Sequence, residues 1–474
     1  MSARDEMGDI QALLKSGFGS LGGMRAVLLQ IEDRAAVRPW LDALKPTTVL
    51  DAEQALRKNE QLDEVVQLAF TARGLRALGW SDDKLVAFAP EFLDGLAGNE
   101  RKSHRLGDSG GNAPSEWCWG CGEREPDVLV LLLTHRDRLD AHTTRLEDGA
   151  RASGFAVLES FASCPSRTTG GPGTEPFGFA DGLSQPAIDW DGRVAVHGAA
   201  NRLYRNTIAA GEFVLGHKNE YGFVADHPVH LGRNGSYLVY RQLEQNVVGF
   251  WRWLAKRTGS AEGAVALAER MVGRKRDGHA MAGLPADPDH GFVFDGDPDG
   301  LHCPIASHVR RANPRSGDDP NGRKGFLRDL VSSLGFVGEA GQDAVASARF
   351  HRLLRRGRSY GAMLEPETAM RLEANPEPTG LHFLCLNASL ARQFEFVQDA
   401  WIASSAFGGR AGEQDPLLGN RQPLADGSVP DCFRYVDEAG EPRLCTGMPP
   451  FVTVRGGAYF FLPGLAGLQA LLNL

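Results

Sequence analysis

Apolar residues in this chain form short uninterrupted runs, and the segments that follow them carry apolar positions three and four residues apart. The runs at residues 26–31 and 127–134 have the length and the polar flanks of buried strands. The segments at 37–44 and 137–154 have the spacing of helices that pack one face against a sheet. This pattern predicts strands followed by helices.

Three further strands are predicted at residues 237–241, 380–386 and 457–462. One further helix is predicted at residues 243–257. A strand, helices and further strands follow one another in each half, without a literal repeat, so we expect two similar α+β halves. Three segments rich in glycine and proline are predicted to be surface loops, at 166–176, 283–300 and 313–325. Loops of this length often carry function.

Size and composition limit the class of protein. A chain of 474 residues exceeds what one hydrophobic core usually holds, so two domains are expected. The net charge is −9, from 51 basic and 60 acidic residues mixed along the chain, which argues against a nucleic-acid partner. The longest apolar run is far shorter than a membrane span needs, and the N-terminal MSARDEMGDIQALL does not resemble a secretion signal. We therefore expect no membrane association and a cytoplasmic location.

Seven cysteines spread over a long chain do not form the pattern of a disulfide framework. Cys118 and Cys121 have the spacing of half a zinc or redox site, but Cys432 and Cys445 are more widely spaced. Ordinary thiols are therefore the more common interpretation.

The first candidate for chemistry is Asp181 in the segment GFADG at 178–182. Glycines on both sides of the acid permit a sharp turn that directs the carboxylate into a cavity. The alternative is a plain turn, because Asp-Gly is a frequent turn dipeptide.

The second candidate is His308, which lies in a short apolar run that leads into Arg310, Arg311 and Arg315. A neutral imidazole is able to bind haem iron, and neighbouring guanidinium groups suit the two propionates. A single histidine near apolar residues is, however, more often structural.

The third candidate is the basic segment HRLLRRGRSYG at 351–361. Its density of cations suits an anion or a developing negative charge. Basic residues that cap a helix before Gly357 would give the same pattern, and both interpretations can hold together.

In their order along the chain and in their amino-acid sequence, these three segments resemble the dye-decolorizing (DyP-type) haem peroxidases. The matching motifs are GxxDG at 178–182, the histidine segment that ends in NPR at 313–315, and RRGxxYG at 355–361. Five further segments match in the same order and are spread over nearly the whole chain: DIQALL from Asp9, GEFVLGHKNEYG from Gly211, GRNGSYLVYRQL from Gly232, QFEFVQDAW from Gln393 and GGAYFFLPGL from Gly456. Chance is a poor explanation for so many ordered matches.

The resemblance implies an α+β fold of two ferredoxin-like domains, each with an antiparallel sheet. We place the boundary so that residues 1–210 carry the GxxDG loop and 211–474 form the haem-binding domain. It also implies one haem b per chain, held between sheet and helices in the C-terminal domain.

Carried over by position, the resemblance makes Asp181 the distal acid, His308 the proximal iron ligand and Arg355 the distal arginine, with Arg356 as a competitor for the last role. Arg310 and Arg315 are candidates to bind the propionates. Leu381 and Phe383 point to the same side of a predicted strand and are expected to line the distal pocket. The hydrogen-bond acceptor for His308 is expected to be Glu395 or Asp399, with a slight preference for Glu395.

The implied activity is the reduction of hydrogen peroxide coupled to the oxidation of dyes, phenols or other one-electron donors. A haem-binding or haem iron-handling protein is the alternative, and a cofactor-free hydrolase built on the Asp and His residues is disfavoured. Aromatic residues such as Tyr237, Tyr240, Trp251 and Trp253 are candidates for electron relay, although such residues more often belong to a core. The sequence does not identify the reductant or the oligomeric state, and a homo-oligomer is one of the open alternatives.

Overall fold

The computed structural model describes residues 2–47, 62–164, 173–193, 206–281, 293–294, 296–315 and 348–473. The three predicted loops lie partly outside these ranges, at 166–172, at 283–292 with 295, and at 316–325. Their described parts contain no helix or strand, as predicted.

A nine-stranded sheet forms the centre of the described molecule, in the order β4-β1-β3-β2-β13-β7-β10-β8, and β9 also pairs with β10. Its strands are β1 (Gly23–Ile31), β2 (Glu64–Phe70), β3 (Val128–Thr134), β4 (Phe155–Ala162), β7 (Ser236–Gln245), β8 (Leu354–Arg355), β9 (Arg358–Tyr360), β10 (Gly380–Asn387) and β13 (Val452–Leu462). Two smaller sheets pair β5 (Ala187–Asp189) with β6 (Thr207–Ala209) and β11 (Phe433–Val436) with β12 (Pro442–Cys445).

The large sheet is antiparallel and combines strands from both halves of the chain. β4, β1, β3 and β2 come from the first half, and β13, β7, β10 and β8 from the second. The two groups meet where Phe461 of β13 pairs with Phe70 of β2. The predicted α+β class with antiparallel strands is therefore confirmed, while the boundary near residue 210 stays a prediction.

Helices cover the sheet and connect its strands. They are α1 (Arg34–Leu44), α2 (Ala72–Ala77), α3 (Asp82–Leu85), α4 (Pro90–Asp94), α5 (Glu100–Arg105), α6 (Leu139–Ala152), α7 (Val247–Thr258), α8 (Ala261–Val272), α9 (His308–Ala312), α10 (Pro366–Ala369) and α11 (Leu465–Leu472). Two π-helical segments, Ala391–Glu395 and Val397–Ala403, follow β10. Short 3₁₀ helices join these elements.

Most predicted elements match the observed ones, with one correction at the helix predicted over 243–257. Residues 243–245 continue β7, and α7 begins only at Val247. The reason is Asn246, whose side chain accepts a hydrogen bond from the backbone N–H of Gly249 and so caps the first turn of the helix. A capping side chain fixes the helix start independently of the apolar spacing before it.

The central strands of the sheet are buried on both faces, which explains the uninterrupted apolar runs. In β1, Val27 and Leu29 belong to one hydrophobic cluster, whereas Ala26 and Leu28 belong to a second cluster on the opposite face. All seven residues of β3 are buried. A strand covered on both sides has no polar alternation. Among the described helices, none has the length and apolar character needed to cross a bilayer.

Candidate active site

His308 is the first residue of helix α9, and its side chain is 29% exposed. Its Nδ1 atom lies 2.8 Å from Oδ2 of Asp415, which is completely buried. The other carboxylate oxygen of Asp415 accepts the backbone N–H groups of Leu417 and Leu418, at 2.9 and 2.8 Å. Asp415 is thus held rigidly, and it holds the imidazole in turn.

Burial and charge act in opposite directions on this pair. Burial lowers the pKa of His308, but the charge of Asp415 and its hydrogen bond outweigh that effect, so the pKa of the imidazole is raised. Burial likewise raises the pKa of Asp415, but the charge and hydrogen bond of His308 prevail and lower it. When Nδ1–H donates to this carboxylate, the neutral imidazole has its lone pair on Nε2, which is the arrangement of a metal-binding imidazole.

The prediction that Glu395 or Asp399 accepts the hydrogen bond of His308 is wrong. Glu395 accepts the hydroxyl of Tyr459 at 3.0 Å and lies 3.6 Å from the ammonium group of Lys102. Asp399 lies 3.6 Å from Arg105. Both acids belong to the π-helical segments after β10 and are paired with these cations. No motif marks the loop residue Asp415 in the sequence, so only the tertiary structure identifies it.

Asp181 follows a tight turn and is exposed. The backbone N–H of Ala180 donates to the carbonyl of Arg276 at 2.8 Å, and the N–H of Asp181 donates to the carbonyl of Gly173 at 2.7 Å. Oδ1 of Asp181 accepts the N–H of Gly182 at 2.6 Å. Gly182 has a φ of 77°, which favours glycine. The backbone of the turn is therefore fixed on both sides of the acid.

Arg355 connects this turn to His308. Its backbone N–H donates to Oε1 of Gln185 at 3.0 Å, and its Nη2 donates to the carbonyl of Leu183 at 2.6 Å. Arg355 is also near enough to His308 for its positive charge to act on the imidazole. Arg355 is thus bonded to the segment that follows Asp181 and acts on His308 through its charge, although these residues lie far apart in sequence.

Arg356 faces a different part of the molecule. Its Nε donates to the carbonyl of Leu13 at 2.7 Å, and its Nη2 donates to that of Leu14 at 3.2 Å. Arg356 therefore fixes the N-terminal segment, away from the Asp181 turn.

The two arginines that follow His308 in the prediction have different surroundings. Arg310 is fully buried and donates to a carboxylate oxygen of Asp297 at 3.2 Å and to the carbonyl of Cys303 at 2.7 Å. Arg315 reaches Oγ of Ser184, three residues after Asp181, at 3.3 Å. Arg310 is thus engaged within the protein interior, whereas Arg315 lies beside the Asp181 turn.

Two further arginines converge on the same serine: Arg274, which the sequence analysis missed, and Arg352, which lies in the basic segment 351–361 but was given no role. Arg274 donates to Oγ of Ser184 at 2.9 Å, and Arg352 donates to its carbonyl at 3.0 Å. Ser184 itself has a φ of 53°, an uncommon value for a residue other than glycine. The converging arginines come from separate segments, so their proximity has no signal in the sequence.

Leu381 and Phe383 lie on the same face of β10, as predicted. Both are half-buried, whereas His382 and Leu384, which alternate with them, are buried on the opposite face. Val309 and Leu353 are two more half-buried apolar side chains that pack against the same core cluster. Leu381 and Phe383 thus form an incompletely covered apolar surface on one face of β10, and Val309 and Leu353 are half-buried as well.

The other candidates from the sequence lie in ordinary surroundings. Tyr237, Tyr240 and Trp251 are buried in the core clusters, and the indole N–H of Trp253 donates to the carbonyl of Gly447 at 3.2 Å. Cys118 is exposed, Cys121 is half-buried, and both are free thiols.

No family profile matches the chain. A curated relative, the "multifunctional dye peroxidase DyP2" of Amycolatopsis sp., is 29% identical over 471 residues, which cover 94% of this chain and 92% of the relative.

Solved structures agree with this relationship. The fungal DyP-type peroxidase of Auricularia auricula-judae superposes with a TM-score of 0.75 at 24% identity and covers 99% of both chains. A dye-decolorizing peroxidase in complex with 2,6-dimethoxyphenol gives a TM-score of 0.74 at 22% identity, again over 99% of both chains. The fold is that of the DyP-type peroxidases, and the chain is an enzyme of the peroxidase class. More particularly, it is a homologue of the dye-decolorizing peroxidases.

Proposed function

We propose that this protein is a haem-dependent peroxidase that reduces hydrogen peroxide and oxidises dyes, phenols or other one-electron donors. The observation that carries the proposal is the hydrogen bond between His308 and the buried Asp415, together with Arg355, whose charge acts on the imidazole and whose side chain bonds the segment that follows Asp181. Its relatives are named peroxidases, which favours this function over haem carriage or iron handling. One relative acts on dyes by its name, and one structural neighbour was solved with a phenol.

The residues of this site fit a haem b, with one group per chain. Asp415 holds Nδ1 of His308, so Nε2 is the atom we propose as the iron ligand. The half-buried side chains of Leu381 and Phe383 offer an apolar surface for the distal side of a porphyrin. Arg315, next to Ser184, is our candidate for a propionate partner, while the existing bonds of Arg310 suit a supporting role.

Bound haem supplies the electrons for cleavage of the peroxide O–O bond. We assign the proton transfer to Asp181, whose carboxylate takes the proton from one peroxide oxygen and delivers it to the leaving oxygen. Arg355 stabilises the negative charge on the leaving oxygen. Asp415 keeps the imidazole of His308 in one tautomer and one orientation.

Haem binding is tested first, by titrating the purified protein with hemin and following the Soret band after desalting. We expect stoichiometric binding by the wild type and a much weaker affinity in His308→Ala, because the proposed iron ligand is removed. His302→Ala is the matched control, since His302 is exposed and lies six residues earlier in the same segment. Equal retention of haem in the two variants would contradict the assignment of His308.

Catalysis is tested on the haem-loaded variants Asp181→Asn, Arg355→Leu and Arg356→Leu by stopped-flow mixing with hydrogen peroxide. Loss of a general acid-base usually costs about 10²–10⁴-fold in rate, and loss of one charge-stabilising donor about 10²–10³-fold. We expect the first loss in Asp181→Asn and the second in Arg355→Leu. Arg356→Leu should react at a rate close to that of the wild type. If Arg356→Leu reacted slowly with hydrogen peroxide and Arg355→Leu reacted like the wild type, the role assigned to Arg355 would belong to Arg356.

A further inference from the structure

Three turns in the described molecule share one backbone geometry. Each is closed by an isolated antiparallel bridge between residues six positions apart, and each has a glycine in the left-handed region at its fifth position. The second residue of each turn donates its N–H to the carbonyl of the sixth, at 2.9, 3.0 and 3.0 Å. The turns are Thr174–Ala180, Lys218–Val224 and Arg274–Ala280.

The second residue of the turn differs among them, and this difference is informative. In the Lys218–Val224 turn it is Asn219, whose side-chain oxygen accepts the N–H of Tyr221 at 3.0 Å. In the Thr174–Ala180 turn it is Glu175, whose two oxygens accept the N–H groups of Phe177 and Phe179, both at 3.0 Å. A neutral amide is thus sufficient for this kind of turn, and the carboxylate at 175 does more than the turn requires.

Glu175 makes one further hydrogen bond, which joins the turn to the central sheet. Its Oε2 accepts the side-chain N–H of Gln245 at 2.8 Å. Gln245 is the last residue of β7 and is fixed there by backbone bonds, donating to Thr379 at 2.7 Å and accepting from Asn375 at 2.7 Å. The turn that precedes Asp181 is therefore joined through one carboxylate to the strand that pairs with β10.

Glu175 also lies close to the proposed catalytic groups. The pKa of Glu175 is raised to about 7, because burial and, to a smaller extent, the charge of Asp181 outweigh the three hydrogen bonds that lower it. The charge of Glu175 also acts on the imidazole of His308. The two carboxyl groups are thus electrostatic neighbours within one site.

We propose that Glu175 is a positioning residue, which holds the turn before Asp181 against β7 and so sets the place of the Asp181 carboxylate relative to Arg355. This inference rests on the proposed peroxidase function. Displacement of a reacting group by about 1 Å can cost on the order of 10²-fold in rate. A hydrogen bond that fixes the turn before Asp181 can therefore have a large effect on the rate.

The test compares Glu175→Asn, Glu175→Gln and Asn219→Ala with the wild type and with Asp181→Asn. Asparagine at 175 reproduces the arrangement seen at Asn219 and keeps the turn, but it is too short to reach Gln245. Glutamine keeps the reach and one acceptor oxygen, so it should restore part of the function. Asn219→Ala disturbs the matching turn and is the control.

Two measurements are made: the rate constant with hydrogen peroxide in the haem-loaded protein, and backbone hydrogen exchange of residues 173–181 in the haem-free protein. We expect Glu175→Asn to react at least about tenfold more slowly, by the same positional sensitivity, and to exchange faster over 173–181. We expect Glu175→Gln to lie between it and the wild type. Asn219→Ala should exchange faster over 218–224 alone and react like the wild type.

The outcomes separate the two proposals. If Asp181→Asn is slow and Glu175→Asn reacts like the wild type, the positioning inference fails and the peroxidase proposal stands. If Glu175→Asn is slow but its exchange over 173–181 is unchanged, Glu175 does not act through the turn, and the inference also fails. If Asp181→Asn is as fast as the wild type, the proposed role of Asp181 fails, and the positioning inference fails with it.

Discussion

At the scale of single residues, the site depends on side chains that hold other side chains. His308 is oriented by Asp415, and Asp415 is oriented by two backbone N–H groups of its own loop. A carboxylate bonded in this way fixes the tautomer of a histidine and makes the opposite nitrogen a better ligand. The proposed iron ligand thus relies on a loop about a hundred residues away.

The first prediction concerns this pair and uses Asp415→Asn, which keeps the shape of the side chain and removes its charge. Loss of a bonded partner behind a metal-binding histidine usually lowers affinity or activity about 10–100-fold. We expect a loss of this size in the affinity for hemin, measured by titration of the haem-free protein.

Glu395→Gln is the matched control for that measurement. Glu395 is buried beside Tyr459 and Lys102, so its substitution should lower the free energy of unfolding and leave hemin affinity near the wild-type value. If Glu395→Gln weakened hemin binding more than Asp415→Asn, the assignment of Asp415 as the partner would be wrong.

At the scale of elements, the two faces of strand β10 differ in burial and in polarity. Leu381 and Phe383 form part of the half-buried apolar surface, while His382 between them is buried on the other face. Its Nδ1 lies 3.0 Å from the hydroxyl of Tyr240, and its Nε2 lies 3.4 Å from the carbonyl of Ala162. A neutral imidazole satisfies both bonds, accepting one and donating the other.

The second prediction follows from this buried imidazole. Burial lowers the pKa of His382 from 6.5 to about 4, against the smaller raising effect of its bond to Ala162. Between these values the unfolded chain binds a proton that the folded chain does not, so His382 makes the free energy of unfolding fall as pH drops from about 6.5 to 4. Above pH 6.5 this contribution is fully present.

The measurement is denaturant unfolding of the wild type and of His382→Asn at a series of pH values. Asparagine places a polar group near Nδ1 but does not titrate, so the difference in stability between the two proteins should shrink by roughly 3 kcal/mol from pH 7 to pH 4. A difference that is the same at every pH would show that His382 titrates equally in both states.

At the scale of the whole molecule, the two halves of the chain share one sheet and one core. One hydrophobic cluster includes Val27 and Leu68 from the first half and Val239 and Tyr459 from the second. The N-terminal segment adds a further tie, because the side chain of Gln11 bonds backbone groups of Leu68 and Pro463. Neither half buries its apolar surface without the other.

The third prediction is that the haem-free protein unfolds in a single cooperative transition, despite its length and the two domains that the sequence predicts. Far-ultraviolet circular dichroism and tryptophan fluorescence should give the same midpoint, since a shared core couples the halves. Gln11→Leu, which removes three buried hydrogen bonds, should lower both midpoints together. Two separate midpoints in the wild type would show that the halves unfold independently.

The elements were largely predictable because strands buried on both faces leave an unmistakable apolar run. The runs at 26–31 and 127–134 became β1 and β3 with only small changes at their ends. The start of α7 was not predictable from spacing, because the capping side chain of Asn246 decided it. Local interactions of this kind override periodicity at the ends of elements.

The sequence by itself predicted the α+β class, and its resemblance to the dye-decolorizing peroxidases singled out the three segments that carry Asp181, His308 and Arg355, because each of these segments is a local pattern. Only the tertiary structure decided that Asp415 bonds His308, that several arginines converge on Ser184, and that Glu175 reaches Gln245. These contacts join segments far apart in the chain. Hydrogen-bond partners at such separations depend on how the sheet, turns and loops pack, and no local pattern records that packing.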